Sequence, residues 1–250
     1  MFSFENYGLC HIRKRIEGNT VENPKQVQTW EQFYGKPLSV FEFIVHTLPY
    51  LYYFFRIIRQ KPKRILEVGG GTAAHSIFLS YFPIRSLVVL DSDTALMRDV
   101  RHNIQKFGKS KKLYPCKADA FKVPFKDDSF DMCISQGFLE HFSDDEIIEL
   151  VKEQLRVARK VIFSVPSDKY PGKDFGNERL IHPEQWLGLL KDRLNNVLVE
   201  SKYAPFDLAI RIRIGLCKAQ KSFRKFITTP LQVIVTITKL SKNQSTGDSA

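Results

Sequence analysis

Cysteine is scarce in this sequence, and the few cysteines are scattered. They lie at Cys10, Cys116, Cys133 and Cys217, with no CxxC pair and no histidine at metal-ligand spacing. The pattern therefore predicts neither a disulfide framework nor a zinc site, and we expect no metal. Thiols without a pairing pattern are typical of a reducing compartment, so we expect a cytoplasmic protein.

Long uninterrupted apolar runs are also missing. The N-terminus has no apolar core behind a basic start, so we expect no secretory signal. The stretch from Val40 to Ile58 is long and apolar enough to resemble a membrane span, but Glu42, His46, Pro49 and Arg56 interrupt it. These residues are costly or disruptive at bilayer depth, so the stretch favours a helix that covers a sheet or lies at an interface.

Acidic residues are outnumbered, with 27 Asp and Glu against 38 Lys and Arg, which gives a formal net charge of +11. This excess favours anionic partners such as nucleic acid, acidic lipid or phosphorylated metabolites, without selecting one of them. It is equally consistent with a solubilising surface. The 250 residues, 43% of them hydrophobic, are enough to bury one α/β core, and we expect one domain.

Short apolar runs alternate with helical stretches from Lys63 onward. Strands are predicted at 64–68, 87–90, 113–117, 132–135, 161–165, 197–201 and 231–238, and helices at 73–81, 94–106, 144–156 and from 182. The alternation predicts an α/β fold, a doubly wound, mostly parallel seven-stranded sheet with helices on both faces. The predicted layout is a helical lead-in or lid over 1–62, one domain over 63–240 and a disordered tail over 241–250.

A glycine-rich turn follows the first predicted strand, where RILEV runs into Gly69, Gly70 and Gly71 before a helix. Such a turn binds nucleotide-like ligands at the carboxyl edge of a sheet. A phosphate-binding P-loop is excluded because GGGTAAHS contains no lysine. A nicotinamide-type GxGxxG pattern fails at its third position, which is Ala74, although that class stays an alternative. Glu67, two residues before the first glycine, suits a ligand that carries an amino group and a carboxylate.

Three segments in order carry a family resemblance. The runs ILEVGGGTA, VVLDSD and KADAFKVPFKDDSFDMCISQGFLEHF resemble the motif series of class I S-adenosylmethionine (AdoMet)-dependent methyltransferases, in the small-molecule, type 11-like branch. The resemblance covers residues 60–165 closely and the rest in outline. It implies a Rossmann-like methyltransferase fold, AdoMet as cofactor and methyl transfer as activity. One position departs, because the family usually has glycine where this chain has Ala73.

The resemblance also implies roles for the cofactor-binding residues. Gly69, Gly70 and Gly71 would carry the methionine end of AdoMet, with Glu67 aligning its amino group through the loop. Asp91, followed by Ser92, would accept hydrogen bonds from both ribose hydroxyls, since two adjacent donors suit a bidentate acceptor. A helix cap is the plainer role for Asp91, but Asp93 is better placed to cap.

Later strand ends complete the predicted cofactor site. Asp119 would accept a hydrogen bond from the adenine amino group, with Ala120 beside the ring, although a simple turn aspartate is the alternative. Ser135 and Gln136 end the fourth strand and would lie beside the reacting methyl group.

The predicted catalytic residue is His141, in the segment GFLEHF after the fourth strand. A histidine suits proton removal from a hydroxyl or a protonated nitrogen. Glu140 would orient it, although both residues could instead be structural. Some quinone methyltransferases resemble this segment but carry a metal-binding glutamate where this chain has Gly137, so no metal is expected. Trp30 and Tyr34 lie four residues apart on a short N-terminal helix, which would either close over the cofactor or pack on the core.

The acceptor is less constrained by the sequence. A basic and apolar segment, 206–229, separates the last two predicted strands and would lie on an acidic membrane or hold a phosphorylated or lipid-linked acceptor, unless it is a solvated segment over the core. Arg179 and Lys173 could meet an anionic group. We expect methylation of an oxygen, nitrogen or carbon atom of a small molecule. An RNA methyltransferase is the alternative that the charge supports, but SQGF replaces the [DN]PP[YF] tetrapeptide of amino-methylating nucleic-acid enzymes.

Overall fold

The computed structural model describes residues 29–34, 37–205 and 230–240. Its helices are α1 (Trp30–Tyr34), α2 (Val40–Thr47), α3 (Leu51–Ile58), α4 (Ala74–Leu79), α5 (Thr94–Phe107), α6 (Asp144–Val157) and α7 (Pro183–Lys191). Its strands are β1 (Arg64–Val68), β2 (Ser86–Asp91), β3 (Leu113–Lys117), β4 (Met132–Gln136), β5 (Lys160–Pro166), β6 (Val197–Tyr203) and β7 (Gln232–Lys239). The basic segment 206–229 and the tail 241–250 lie outside the described residues.

The seven strands form one mixed sheet in the order β3-β2-β1-β4-β5-β7-β6. The first five strands along the chain pair in parallel, and β7 runs antiparallel between β5 and β6. The predicted α/β fold with a mostly parallel seven-stranded sheet is therefore confirmed. Strand order reverses between β1 and β4, and in open α/β sheets ligands bind beyond the carboxyl ends of the strands at such a switch point.

Helices cover both faces of the sheet, because the strands are apolar on both sides. On one face α6 and α7 pack against the sheet, with Trp186 fully buried against Phe163. On the other face α3, α4 and α5 pack through Ile57, Ile77 and Val100. The two apolar clusters hold the carboxyl edge of the sheet in place between two helical layers.

The apolar stretch 40–58 is a broken helix rather than a continuous one. A 3-10 turn at Leu48–Tyr50, with Pro49 in its first turn, separates α2 from α3. The hydroxyl of Tyr53 in α3 is buried and donates to the carbonyls of Ser135 (2.9 Å) and Ile162 (3.1 Å). This helix therefore packs on the sheet, as the interrupted pattern predicted. In the part of the chain that the structure describes, no helix is long and apolar enough to cross a membrane.

Side-chain caps begin two of the helices beside the carboxyl edge. Asp93 accepts from the backbone N–H groups of Ala95 and Leu96 at the start of α5. Ser143 and Glu146 form a capping box at the start of α6. The Asp93 cap lies where the sequence predicted it.

The turn from β1 to α4 contains a strained residue. Ala73 has a φ of +63°, in the left-handed region, and is completely buried. A side chain in this conformation costs roughly 1–2 kcal/mol, which explains why glycine is usual here in the resembling family. Helix α4 therefore begins at Ala74, one residue later than predicted.

We expect Ala73→Gly to relieve this strain, offset in part by the loss of a buried methyl group and by the flexibility of glycine. Ala74→Gly, the matched control, makes the same change in helical backbone and has no strain to relieve. In urea unfolding, the Ala73 variant should be more stable than the Ala74 variant by about 1 kcal/mol or more. Equal losses of unfolding free energy in the two variants would contradict the strain.

Candidate functional site

The glycine turn is fastened to the end of β2 by three hydrogen bonds. The carbonyl of Leu90 accepts from the backbone N–H groups of Gly69 (3.0 Å) and Gly70 (3.1 Å). The Oδ2 atom of Asp91 accepts from the N–H of Gly71 at 3.1 Å. Two of the predicted site elements, the glycine turn and the aspartate after VVL, therefore meet at the switch point.

Glycine is required at two positions of this turn. Gly69 and Gly71 have φ values of +68° and +51°. A Cβ atom on Gly69 would lie 2.4 Å from Cδ2 of Phe138, and one on Gly71 would lie 2.8 Å from the hydroxyl oxygen of Tyr34. The turn is thus a bare-backbone cradle with an aromatic ring close to each of its two ends.

Glu67 lies beneath the glycine turn rather than on its surface. Its side chain is buried, its Oε2 accepts from the N–H of Ser76 at 3.2 Å, and its Oε1 lies 3.5 Å from Nδ1 of His75. The carboxylate therefore holds the first turn of α4, where helix N–H groups favour an anion. Glu67 can therefore act on a ligand only indirectly, by positioning the loop, as expected from the sequence.

Asp91 closes β2 with both carboxylate oxygens turned to backbone donors. Besides the N–H of Gly71, it accepts from the N–H of Asp93 at 3.0 Å. Burial raises the pKa of Asp91 above its ordinary value, against these hydrogen bonds. Ser92, the next residue, is exposed. Because Asp93 caps α5, Asp91 is not the cap of that helix.

The segment after β3 lies beside Asp91, because the N–H of Ala118 donates to the carbonyl of Asp91 at 3.1 Å. Asp119 is exposed, and its Oδ1 accepts from the N–H of Phe121 at 2.9 Å. This is the geometry of a turn aspartate. Ala120 is half-buried at the same turn. The adenine role of these two residues stays a prediction.

The end of β4 places two further predicted residues at the same edge of the sheet. Ser135 is buried, and its Oγ atom has no hydrogen-bond partner among the described residues. Gln136 is half-buried and pairs with Ser164 of β5. After them Gly137 turns with a φ of +63° into the 3-10 turn Leu139–His141.

His141 lies among aromatic rings. Its ring centroid is 5.0 Å from that of Trp30 and 5.6 Å from that of Phe175, both edge-on. Its Nδ1 atom lies 2.6 Å from Oδ1 of Asn177. Burial lowers the pKa of His141 below its ordinary value, although Asn177 opposes the shift. The ring is therefore neutral near pH 7, the form that can accept a proton.

The expected partnership between Glu140 and His141 is corrected by this geometry. The imidazole is hydrogen-bonded to the Asn177 side chain and to the Gly137 backbone, so these groups rather than the Glu140 carboxylate orient the ring. Glu140 is 2% exposed, and its Oε2 has no hydrogen-bond partner among the described residues. Burial, with smaller contributions from the charges of Glu178 and Asp174, raises the pKa of Glu140 to about 8.

Helix α1 joins the glycine turn to His141. Tyr34 packs on Gly71, and burial together with the charge of Asp91 raises the pKa of its hydroxyl. Trp30 stacks on Tyr34 at 6.1 Å between centroids and on Phe175 at 4.0 Å. Helix α1 therefore lies against the glycine turn, and its closure over a cofactor stays a prediction.

Several site residues were not predicted from the sequence. Phe175 and Asn177 lie in an irregular loop with no periodic signal. Asn103 is fully buried on α5, where its side chain accepts from the N–H of Leu38 and donates to the carbonyl of Thr72. A polar residue three positions after Val100 on the apolar face of α5 was the available signal for it.

The guanidinium of Arg179, which was expected to meet an anionic group, is engaged by protein acceptors. It donates to the carbonyl of Phe142 at 3.0 Å and to the carboxylate of Asp144 at 2.5 Å. Lys173 is exposed. Among the residues that the structure describes, no group of three or more His, Cys, Asp or Glu side chains is placed to hold a metal ion.

Comparison with known proteins gives the class of the domain. Residues 65–160 match the family model described as a methyltransferase domain. No curated protein sequence matches the chain.

Solved structures share the fold at low sequence identity. A SAM-dependent methyltransferase from Aquifex aeolicus aligns with a TM-score of 0.53 at 14% identity, over 74% of this chain and 89% of that chain. The SAM-dependent methyltransferase SibL aligns with a TM-score of 0.61 at 14% identity, over 94% and 66%. The cyclase SpnF aligns with a TM-score of 0.56 at 14% identity, over 76% and 80%. At such identities the alignments establish the fold, and fold alone does not fix the reaction.

The family match over residues 65–160, together with this fold, supports a class I AdoMet-dependent methyltransferase. Its cofactor is S-adenosylmethionine. The residues present fit that cofactor: the turn at Gly69 and Gly71 has no Cβ atoms, and a Cβ at either position would clash with an aromatic ring. The carboxylate of Asp91 lies beside this turn, and the unpartnered oxygen of Ser135 ends β4.

The buried acid Glu140 generates a prediction for stability. Its pKa is raised above that of an unfolded glutamate, so its contribution is most favourable below about pH 4.5 and is lost as pH rises through 8. Glu140→Gln removes this titration. The difference in unfolding free energy, variant minus parent, should therefore increase by on the order of a few kcal/mol from pH 5 to pH 9.

Chemical unfolding of the cofactor-free protein across this pH range is the measurement. Glu146→Gln is the control: hydrogen bonds to Ser143 lower the pKa of the exposed Glu146, so its contribution changes only below the ordinary glutamate pKa and this variant should run parallel to the parent from pH 5 to pH 9. Parallel pH profiles for parent and Glu140→Gln would rule out the raised pKa.

Proposed function

We propose that the chain transfers the methyl group of AdoMet to an oxygen, nitrogen or carbon atom of a small-molecule acceptor, with His141 as general base. The observation that carries the proposal is the continuous contact from Asp91 and Gly71 through Tyr34 and Trp30 to His141. It supports one site in which a cofactor-binding turn and a neutral imidazole share an aromatic cover.

The proposed cofactor roles follow from this arrangement. When bound, AdoMet supplies a methyl group that is already activated on a sulfonium. The glycine turn would hold the amino-acid end against bare backbone, and Asp91 would accept from the ribose hydroxyls with lone pairs that its backbone donors leave free. Asp119, Ala120, Ser135 and Gln136 keep their predicted adenine-side and methyl-side roles within the proposal.

The proposed contribution of the protein to the reaction is alignment, exclusion of water and removal of one proton. Trp30 and Phe175, stacked together beside His141, would keep water from the acceptor atom. Asn177 would hold the Nδ1–H tautomer of His141, which leaves Nε2 as the atom that takes the proton.

The acceptor and the location of the enzyme belong to the same proposal. We infer a cytoplasmic enzyme that acts on a small molecule, anionic or lipid-linked, and contacts acidic membranes; the net charge of +11 supports the preference for anions. RNA is the competing acceptor that the charge also supports. Transfer of labelled methyl groups into a fractionated cell extract, compared with purified RNA, separates the two.

The ribose role of Asp91 predicts a loss of cofactor affinity. Asp91→Ala should weaken AdoMet binding at least tenfold in calorimetric titration, because two charge-assisted hydrogen bonds are removed. Asp93→Ala is the matched control: it removes a carboxylate two residues away, costs about 1 kcal/mol of helix capping and should leave the affinity unchanged. If the parent binds NAD and not AdoMet in the same titration, the assignment fails.

The proposed base predicts both a rate and a pH effect. His141→Gln should reduce methyl transfer by roughly 10²–10⁴-fold while leaving AdoMet affinity intact. The parent should lose activity only as pH falls below the ordinary histidine pKa, since burial lowers the pKa of His141, and the variant should lack this acidic limb. His102→Gln, at an exposed position of α5, is the control. Full turnover by the His141 variant dismisses the role.

A further inference from the structure

The two helices that cover the sheet beside the site present an apolar row to solvent. Val40, Ile44, Leu48, Leu51 and Phe55 recur at intervals of four, four, three and four residues through α2, the 3-10 turn and α3. Their exposed fractions are 62%, 48%, 45%, 48% and 55%. We call these five residues the apolar stripe. Their spacing places them on one side of the helical segment.

The opposite side of the same segment is buried in the core. Tyr53, Phe54 and Ile57 are at most 1% exposed and pack against the sheet. The stripe therefore cannot turn inward without removing these side chains. Exposed large apolar residues elsewhere in the described chain are dispersed, as at Tyr114 on β3 and Leu198 on β6. A contiguous row of this kind marks an interaction surface, whereas single exposed residues do not.

Basic residues extend the stripe at its C-terminal end. Arg59 follows Phe55 by four residues, and Lys61 and Lys63 come directly after; all three are exposed. In the described ranges none of the three forms an ion pair. The chain as a whole carries a net charge of +11. An apolar row that ends in unpaired cations is complementary to an anionic surface with an apolar interior.

We propose that the apolar stripe docks on an acidic lipid bilayer, lying in the plane of the interface with Arg59, Lys61 and Lys63 among the headgroups. A second copy of this chain is a poorer occupant, because two bodies of charge +11 repel each other whereas an acidic bilayer attracts each of them. The proposal extends the membrane contact suggested above to a named surface. It concerns binding and not turnover, so it can fail while the proposed methyl transfer stands.

Docking through this surface would hold the active site near the membrane. Helix α2 packs on α4, the helix that follows the glycine turn, and Nε2 of His75 in α4 lies 3.2 Å from the carbonyl of His46 in α2. The glycine turn is thus one helical layer from the docked surface.

The experiment is sedimentation of the full chain with vesicles of phosphatidylcholine, alone or mixed with phosphatidylglycerol. The parent should bind the mixed vesicles in a salt-sensitive manner. Leu48→Glu/Phe55→Glu should reduce the binding constant at least tenfold, since two apolar side chains no longer enter the interface. Arg59→Gln/Lys61→Gln/Lys63→Gln should reduce the binding and its salt dependence. Leu198→Glu, an equally exposed apolar residue on β6, should bind as the parent does.

Three results would overturn the proposal. The first is equal binding by the parent and the Leu48/Phe55 variant. The second is self-association of the parent, seen by analytical ultracentrifugation without vesicles and abolished in this variant, which would make a second copy the occupant. The third is a melting temperature of this variant clearly below that of Leu198→Glu, which would show that the chain itself covers the stripe.

Discussion

The end of β2 is the point on which the candidate site depends. The carbonyl of Leu90 accepts two N–H groups from the glycine turn, and the side chain of Asp91 accepts a third. Because β2 pairs in parallel with β1, both strands end at the same edge, and the turn that leaves β1 falls within reach of β2. The parallel pairing thus brings together a backbone cradle and a carboxylate that lie twenty residues apart.

In the same turn, long-range contacts hold a residue in a strained backbone conformation. Ala73 adopts a left-handed conformation that disfavours alanine, yet its neighbour Thr72 is tied to Asn103 and the preceding strand is tied through Glu67 to α4. These contacts over-determine the backbone, so the strained geometry persists without glycine. The departure from the family pattern at this position is therefore tolerated by the fold.

The fold was predictable because its strands are short apolar runs separated by capped helices. Asp93, Ser143 and Glu146 each signal a helix start through local hydrogen bonds, and such signals need only neighbouring residues. Motif order predicted that the glycine turn and Asp91 belong to one site, and the structure places Gly71 beside Asp91, while their cofactor roles stay predictions.

Other parts of the site depend on contacts that leave no periodic trace. Phe175 and Asn177 reach His141 from an irregular loop more than thirty residues away, and nothing in their local sequence indicates that partner. The pairing expected for Glu140 failed for a related reason. Adjacent residues in a 3-10 turn point in different directions, so sequence neighbours need not be partners in space.

The contrast between Glu140 and His141 shows what burial does to a polar segment of an active site. Burial favours the neutral form of any titratable group, so it raises the pKa of the acid to about 8 and lowers the pKa of the imidazole. Near pH 7 the pair is therefore predominantly uncharged, although its sequence suggests an ion pair. In the proposed site, a neutral segment would neither repel the sulfonium of AdoMet nor neutralise its charge, and the imidazole would be able to take a proton. In the proposed mechanism Asp91, which accepts from the N–H of Gly71, would bind the ribose, so cofactor binding would be separate from proton transfer within one site.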